Sequence, residues 1–530
     1  MTVSAEWEPE APEPEHRRSV SLRSVSLVTI LSFGQMFVLF GLQLILARVF
    51  GASRELDCYL SAGTIPLVIS GIVASAVGSV IIRMYGEQSA LHSPKAADQW
   101  AAGAGVAVIL LMGTAGLLVA LFAEPLIRLC FGGFTGDDVR QTAHLLRIQA
   151  WLIPLNTGIG VLHSFMHARQ QFLMPALTGI VGPLVTIAAF LTVGDRSNSS
   201  LAWAGVWGAV AGVVCLLPWC PRPDLHSLSA VLQSRRRFLT LIAPLILGAA
   251  YARLDIMVDR PLADQLPAGN ISQLNYAMRI TAAVATLFTS GLSIVVFPSL
   301  VRCAAVSDHT GLQKHLDESW RFLTVVLTPA MAGLIFCGRP MIHTLFEHGE
   351  FTARDSDAVG WLLMLYCGLI AGSAIGEVCC RTFYALGRNW LPTMVGMLGF
   401  TLGTTAKFFC VVPFGASGLV AATSGYYLIN AVIFLVLIRS AGIQTDARKL
   451  ARSVLRAVAA TTAAIAPAAL IMAQPTTTRV CCGLVTAVAV YLIILSATGD
   501  EFAQRIFRGI AGRNRSHKPS SSTDPGEPSP

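Results

Sequence analysis

Apolar stretches of about 20 residues recur along almost the whole chain, and they constrain its fold more than any other feature. In a lipid bilayer every backbone polar group must be hydrogen-bonded within the protein, so a crossing segment is a helix or part of a closed barrel. Stretches of this length fit helices, whereas barrel strands are about ten residues long and alternate in polarity. Only 13% of the residues are charged, about half the share found in soluble proteins. The sequence therefore predicts an all-α polytopic membrane protein.

Fourteen stretches are long and apolar enough to be transmembrane helices. Their predicted bounds are 25–47, 59–82, 101–123, 143–165, 174–194, 201–219, 238–257, 272–298, 320–338, 358–380, 391–412, 417–438, 453–473 and 478–497. The segment 1–24 is rich in Glu and Pro and lacks the pattern of a cleavable signal peptide, so we expect it to be a cytoplasmic segment. The tail, 500–530, is polar and Ser/Pro-rich, which predicts disorder.

Basic residues are divided unevenly between the two sets of loops. Loops that follow even-numbered spans are the more basic, with Arg83, Lys95, Arg169 and the basic linker 220–237 among them, whereas the loop 339–357 on the opposite side is acidic. Because Lys and Arg gather on the cytoplasmic side, this bias predicts that both termini are cytoplasmic. It also accounts for the net charge of +8, so we do not expect a nucleic-acid partner.

An internal repeat divides the apolar stretches into two sets. FGGFTGDD and HGEFTARD lie 217 residues apart, and the offset also aligns Ala168 with Ala385 and Pro175 with Pro392. Since six spans separate the copies, both have the same topology, which predicts a pseudo-twofold axis along the membrane normal and a cavity between two lobes. The predicted lobes are 25–219 and 238–438, joined by the linker 220–237 and followed by two further helices within 453–497.

The common catalytic motifs are missing from the sequence. It contains no P-loop, GxSxG, HExxH or paired CxxC motif, and most of its twelve cysteines lie inside apolar stretches, where they are read as small hydrophobic residues. His163 and His167 are spaced i,i+4 but have no further metal ligands nearby in the sequence. We therefore expect packing or interfacial placement for these two histidines, and no metal site.

Three motifs, in order along the chain, resemble the MurJ/MviN family of the multidrug/oligosaccharidyl-lipid/polysaccharide exporter superfamily. They are LARVFGASRELDCYLSAGTIP (46–66), AGNISQLNYAMRI followed by VVFPSLVR (268–280 and 295–302), and LFEHGEFTARDSDAV (345–359). The resemblance implies a lipid II flippase of the bacterial inner membrane, which moves the undecaprenyl-pyrophosphate-linked peptidoglycan precursor to the outer leaflet by alternating access. It also implies a transporter rather than an enzyme, with a coupling cation or the membrane potential as its energy source and no other cofactor. Its partners would be this lipid-linked glycan, the lipid bilayer and cell-envelope synthesis proteins.

One departure from the family concerns the first two helices, which carry several arginines in other members. This chain has Met36, Leu42, Ile69 and Ser70 at the aligned positions. The departure leaves room for a different lipid-linked oligosaccharide, such as an exopolysaccharide unit. A cation-coupled drug antiporter is a further alternative, although spans 1–6 have no mid-membrane carboxylate for its cation. A non-transporting scaffold in a cell-envelope complex is another alternative.

Four basic residues are candidates for binding the substrate, because Arg and Lys bind phosphate and charges inside a membrane are generally functional. Arg279 matches the arginine of the family's eighth helix, with pairing to a carboxylate or snorkelling to a membrane interface as the alternatives. Lys407 lies in the middle of the eleventh span, where it could face the cavity, and a cation-binding carboxylate elsewhere could be its partner. Arg253 lies near the end of the seventh span, and Arg147 resembles a basic position of the fourth, where an interfacial placement is the alternative.

Four further residues are candidates for gating or ion coupling. Asp255 and Asp259 are spaced i,i+4 and so share one helix face, with surface ion pairing as the alternative for Asp259. Glu377 and Arg381 have the same spacing late in the tenth span, where a local ion pair is the favoured interpretation.

Overall fold

The computed structural model describes residues 22–220, 225–251, 253–306, 308–388, 390–443, 447–471 and 477–497. The predicted N-terminal segment up to residue 21, part of the basic linker and the predicted tail lie outside the described residues. The described chain is helical throughout, and no strand occurs in it.

The helices follow one another with short connections. Their bounds are α1 Leu22–Phe50, α2 Arg54–Leu91, α3 Pro94–Leu121, α4 Ala123–Cys130, α5 Gly136–Gln149, α6 Leu152–Ala168, α7 Leu173–Thr192, α8 Asn198–Leu216, α9 Leu225–Tyr251, α10 Leu254–Ala263, α11 Asn270–Ala305, α12 His309–Phe346, α13 Ala353–Ala385, α14 Trp390–Ser440, α15 Ala447–Ile471 and α16 Thr477–Ala497. A short 3-10 turn, Leu217–Trp219, follows α8.

The predicted spans coincide with these helices. Twelve segments of the described chain are long and apolar enough to cross a membrane. One of them is the 51-residue α14, which contains two predicted spans and is interrupted at Gly415, where the backbone leaves the helical region (φ 57°, ψ −138°). The predicted span 272–298 lies in α11, a 36-residue helix outside those twelve segments. The chain is a multi-span helical membrane protein.

Two predicted spans are broken rather than continuous. The span 143–165 consists of α5 and α6, and the span 238–257 consists of the end of α9 and the start of α10. Pro154 lies in the first turn of α6, where its missing N–H is tolerated but where it would interrupt a continuous helix. The break between α5 and α6 thus follows from local sequence, although the apolar pattern continues through it.

The described residues form two compact units. The first comprises the residues up to Leu42, Ala62–Ala123 and Ala143–Arg253, and the second comprises Gln43–Ser61, Glu124–Thr142 and the residues from Leu254 onward. These units do not follow the predicted lobes, because two stretches of the first half of the chain group with the second half. The lobe boundaries therefore stay a prediction.

In the first unit, α3 packs against α6 and α9, and α7 packs against α8. Trp100 is buried at the α3–α9 contact, and its indole Nε1 donates to Ser234 Oγ at 2.8 Å. In the second unit, α13 packs against α11, α12 and α14, and α15 and α16 pack against each other and against α12. There the Tyr491 hydroxyl donates to the Val325 carbonyl at 2.6 Å.

The two repeat segments build the same helix N-terminus. In the first copy, the backbone N–H and hydroxyl of Thr135 donate to Asp138 Oδ2 at 3.1 and 2.7 Å. In the second copy, Thr352 donates to Asp355 Oδ2 at 3.0 and 2.7 Å in the same way. Each carboxylate thus closes the first turn of its helix, α5 or α13, as in a capping box. The repeated sequence therefore produces repeated local structure.

Candidate functional site

A buried lysine lies between two carboxylates in the second unit. Asp255 and Asp259 occupy one face of α10, and the Lys407 Nζ on α14 lies 2.7 Å from Asp255 Oδ1 and 2.6 Å from Asp259 Oδ1. The lysine side chain is 0% exposed, and the two carboxylates are 25% and 21% exposed. A buried ammonium needs such partners, because its desolvation is otherwise prohibitive. We call these three residues and Tyr426 the α10–α14 charge cluster.

Tyr426 completes this cluster from the other half of α14. Its hydroxyl donates to Asp255 Oδ2 at 2.8 Å. The two halves of α14 can approach closely because Gly403 faces the Tyr426 ring, where any Cβ would overlap the ring atoms. Gly403 and Lys407 are spaced i,i+4, so the face of α14 that carries the lysine also carries the small residue that admits the tyrosine. The break at Gly415 thus places both halves of one long helix around the same carboxylate.

A second basic region lies around Arg279 on α11. The Arg279 side chain is exposed, and it lies close enough to Tyr59 and Arg260 for electrostatic interaction. Arg260, at the end of α10, donates to the backbone carbonyl of Leu60. Among the described residues no carboxylate pairs with Arg279 within 4 Å. This region, which we call the Arg279 region, therefore presents an accessible guanidinium whose charge is not neutralised by an ion pair.

The remaining predicted site residues lie elsewhere. Arg147 is exposed on α5 in the first unit. Arg253 follows α9, also in the first unit, and its guanidinium packs against Gly71 of α2. Glu377 and Arg381 form an ion pair of 2.8 Å along α13, as the spacing predicts. Of the eight predicted residues, the structure brings three together, Lys407 with Asp255 and Asp259.

Four loops interlock at one end of the second unit. These are the connections between α1 and α2, α4 and α5, α10 and α11, and α12 and α13. Glu350 N–H donates to the Arg48 carbonyl at 3.1 Å, and Arg54 pairs with Asp138 at 2.9 Å. All four loops follow odd-numbered predicted spans, so the structure groups loops that the sequence assigns to the same side. We call them the interlocked loops.

Asp57 is the central side chain of the interlocked loops. It is buried at the start of α2, and it accepts hydrogen bonds from Gly269 N at 2.6 Å and from Ser272 N and Oγ at 2.8 and 2.5 Å. It thereby caps the N-terminus of α11, where unpaired N–H groups and the helix dipole favour a carboxylate. Gly51 allows the neighbouring backbones to meet, because it has φ 59° and any Cβ there would overlap the Glu350 carbonyl.

One set of loops in the first unit carries basic residues. Arg169 pairs with Asp98, and Asp98 also accepts a hydrogen bond from the Tyr85 hydroxyl at 2.9 Å. Arg237 pairs with Glu87 at 2.7 Å. These residues follow even-numbered predicted spans, so they form the counterpart of the interlocked loops.

Comparisons with known proteins agree on one family. A family model described as MurJ: Lipid II flippase MurJ matches residues 46–491. This is well over half of the chain. The chain belongs to the MurJ family.

Individual relatives are distant but cover most of the chain. The Lipid II flippase MurJ of Burkholderia cenocepacia is 24% identical over 444 residues, which are 79% of this chain and 84% of the relative. The Probable lipid II flippase MurJ of Thermotoga maritima is 24% identical over 405 residues, with 74% and 80% covered. The MurJ resemblance predicted from the sequence motifs is thereby confirmed.

Solved structures show the same fold. A structure of Lipid II flippase MurJ in an inward closed conformation matches with a TM-score of 0.77 at 20% identity, over 91% of this chain and 100% of that one. An inward-facing multidrug resistance MATE family transporter of the MOP superfamily matches with a TM-score of 0.61 at 14% identity, over 78% and 94%. At such identities the likeness concerns the fold, and the fold prediction is confirmed.

Three residues that contribute to these sites in this MurJ-family chain were not predicted from the sequence. Tyr426 and Arg260 were not singled out, and Asp57 was noticed only as part of a longer motif. The signal for Arg260 was its position directly after Asp259 in VDRP. No local signal marks Tyr426, because its partner Asp255 lies 171 residues away. Among the described residues no group of three or more His, Cys, Asp and Glu side chains could hold a metal.

Proposed function

We propose that this MurJ-family chain is a lipid II flippase that works by alternating access and catalyses no covalent chemistry. The observation that carries the proposal is the Arg279 region, an accessible guanidinium on α11 beside Arg260 in a chain that matches the MurJ model over residues 46–491. Transport of the lipid would follow from exposing this region alternately to the two sides of the membrane.

The Arg279 region suits the anionic part of the cargo. A pyrophosphate cannot enter hydrocarbon without compensation of its charge, and a guanidinium offers paired N–H donors that match phosphate oxygens. Arg260 adds a second positive charge nearby, and Tyr59 adds a hydroxyl group at the same place. Arg253 and Arg147 stay predictions as further substrate contacts, and both lie in the first unit.

The second unit also offers a place for an apolar chain. A cavity of about 490 Å³ lies among α11, α12, α15 and α16, and its lining is almost entirely apolar, with Val325, Leu334, Ala464 and Leu484 among the residues. Apolar cavities of this size bind apolar ligands through burial alone. We assign it to the isoprenoid tail of the lipid, which would remain outside any aqueous part of the pathway.

Lys407 is assigned to the protein's own carboxylates rather than to the cargo. Its side chain has no exposed surface, and both hydrogen-bonded partners are carboxylates of α10. Asp255 and Asp259 are therefore proposed to act in gating, through their contact with Lys407. Glu377 and Arg381 remain candidates for gating through their ion pair on α13.

The proposed orientation places both termini in the cytoplasm of a bacterial cell. It is supported by the basic residues of the loops around Arg169 and Arg237, and by the grouping of the opposite set in the interlocked loops. Reporter fusions test it. A fluorescent protein fused to the C-terminus should fluoresce and an alkaline phosphatase fusion there should be inactive, whereas the reverse result would contradict the orientation.

The flipping activity is tested with Arg279→Ala in proteoliposomes that contain labelled lipid II. We expect flipping to fall to background, because the accessible guanidinium of the Arg279 region is lost, while the protein elutes as folded during gel filtration. Arg128→Ala is the matched control, because Arg128 is exposed and its ion pair among the described residues is with Glu124 in the same unit. Wild-type protein that translocates no lipid II, with or without an ion gradient or a membrane potential, would contradict the proposed function itself.

A flippase for another undecaprenyl-linked saccharide is the second candidate. It is favoured by one observation, the lack of arginines in the stretch 26–42 of α1 and the stretch 62–82 of α2. The same proteoliposomes, loaded with a lipid-linked oligosaccharide without the peptide, discriminate between the two. Faster translocation of the oligosaccharide than of lipid II would favour this second candidate. Export of small cationic drugs instead of either lipid would favour the antiporter alternative.

A further inference from the structure

The α10–α14 charge cluster has the arrangement of a cation site that is already filled. Two carboxylate oxygens, one each from Asp255 and Asp259, converge on a single point, and the Lys407 ammonium occupies that point at 2.7 and 2.6 Å. Carboxylate oxygens are the ligands that hard inorganic cations prefer. Spacing at i,i+4 on α10 holds the two oxygens on one face. The ammonium thus takes the position that a small free cation would need.

The surroundings of the cluster make this internal cation necessary. The hydroxyl of Tyr426 donates to Asp255, and Tyr427 and Tyr366 face the same carboxylates without adding a positive charge. Arg260 also interacts electrostatically with Asp259, but its guanidinium donates to the Leu60 carbonyl. Without the ammonium, two like charges would remain side by side in the helix bundle, which is strongly unfavourable.

We propose that Asp255, Asp259 and Tyr426 form a site for a small monovalent cation, and that this chain fills the site permanently with the tethered ammonium of Lys407. The wild-type protein then binds no inorganic cation there. Loss of the ammonium opens the site to Na⁺. The consequence for transport, flipping that does not depend on Na⁺, rests on the proposed function, whereas occupancy of the site does not.

Thermal unfolding of the purified full-length protein tests the site without any lipid substrate. Melting temperatures are compared in NaCl and in choline chloride at equal ionic strength for the wild type, Lys407→Met and the double variant Asp255→Asn/Lys407→Met. Methionine keeps the length and volume of the lysine stem but removes its charge. Specific binding of Na⁺ to the folded protein raises its melting temperature, and this increase saturates as the Na⁺ concentration rises.

The expected pattern is specific. Wild type melts at the same temperature in both salts, Lys407→Met gains several degrees in NaCl with a saturable dependence, and the double variant loses this gain because one ligand is missing. A saturable Na⁺ shift in the wild type that Asp255→Asn abolishes would overturn the proposal. So would a folded Lys407→Met protein that melts equally in both salts.

A failure of Lys407→Met to fold is also informative. If the site exists, Na⁺ present during membrane extraction should rescue the yield of Lys407→Met relative to choline. If the yield is equally poor in both salts while the double variant is recovered and indifferent to Na⁺, the cation site is ruled out and the lysine is only a structural counter-ion. Because no lipid II is involved, this result leaves the flippase proposal untouched.

Discussion

Lys407 and Arg279 are both cations on long helices of the second unit, but their surroundings are opposite. Lys407 is completely buried, and two carboxylates of α10 neutralise it at hydrogen-bonding distance. Arg279 is exposed, and its identified electrostatic neighbours are a tyrosine and a second arginine. The comparison shows that a charge inside a membrane protein is not by itself a substrate contact. A cation that is neutralised by carboxylates of the protein contributes to its structure, whereas an accessible cation is available to an anionic ligand.

The largest effect should come from Lys407→Ala. It leaves Asp255 and Asp259 facing each other without a counter-ion in choline medium, and breaking a buried pair in this way costs about 3–5 kcal/mol of unfolding free energy. Thermal or denaturant unfolding in detergent measures the loss. Arg279→Ala is the comparison variant, for which we expect a change of less than about 1 kcal/mol because its side chain is exposed. Equal losses of unfolding free energy in the two variants would contradict the distinction between a structural Lys407 and an accessible Arg279.

Asp264, in the loop after α10, is an acidic residue that is buried without an ion pair among the described residues. It therefore adds a third case to the comparison of Lys407 with Arg279. It is 2% exposed, its Oδ2 accepts a hydrogen bond from Gly133 N at 3.2 Å, and its Oδ1 has no hydrogen-bond partner among the described residues. Burial raises the pKa of Asp264 from 3.8 to about 6. The folded protein therefore holds this proton more tightly than the unfolded chain, so stability falls as the pH rises from about 4 to 6.

The change Asp264→Asn should remove that fall. Between pH 4 and 7 we expect the wild type to lose about 2–3 kcal/mol more than the variant, and the variant should be the more stable protein at pH 7. Melting temperatures of both proteins are measured across this pH range. Subtracting the two curves removes the contribution of the other carboxyl groups, because both proteins share them. Parallel curves for the two proteins would show that the carboxylate is adequately solvated.

A smaller effect is expected from Arg279→Lys. The charge is retained, but an ammonium cannot offer the paired donors of a guanidinium, so we expect flipping to fall about tenfold, equivalent to about 1.4 kcal/mol. Initial flipping rates in proteoliposomes measure it against Arg279→Ala. Full activity of the lysine variant would mean that position 279 supplies only positive charge, and activity as low as that of the alanine variant would mean that its geometry decides.

The smallest effect should come from Arg381→Ala. Its i,i+4 pair with Glu377 is partly exposed, at 37% and 29%, and such pairs contribute about 0.3–0.5 kcal/mol. The measurement is the same unfolding experiment used for Lys407→Ala. A loss near that of the buried lysine would assign the Glu377–Arg381 pair a structural importance comparable to that of the charge cluster.

Much of the fold was determined by the sequence. Long apolar stretches fix the helices, because the bilayer requires internal hydrogen bonding whatever the tertiary arrangement. The FTxxD repeat fixes two identical helix N-termini, because a Thr and an Asp three residues apart cap a helix locally. The i,i+4 spacing fixes the face shared by Asp255 and Asp259, and also the Glu377–Arg381 pair.

Only the tertiary structure decided which charges meet. Lys407 and Asp255 are 152 residues apart, and Asp57 caps a helix that begins more than 200 residues later. The contact of Tyr426 with Asp255 depends on the break at Gly415, and the cap by Asp57 depends on the interlocked loops. A hydropathy pattern specifies neither of these features. The accessibility of Arg279 was decided in the same way. Sequence reveals contacts that repeat within a few helical turns, whereas contacts between distant segments depend on how the helices pack, which periodicity along one chain does not encode.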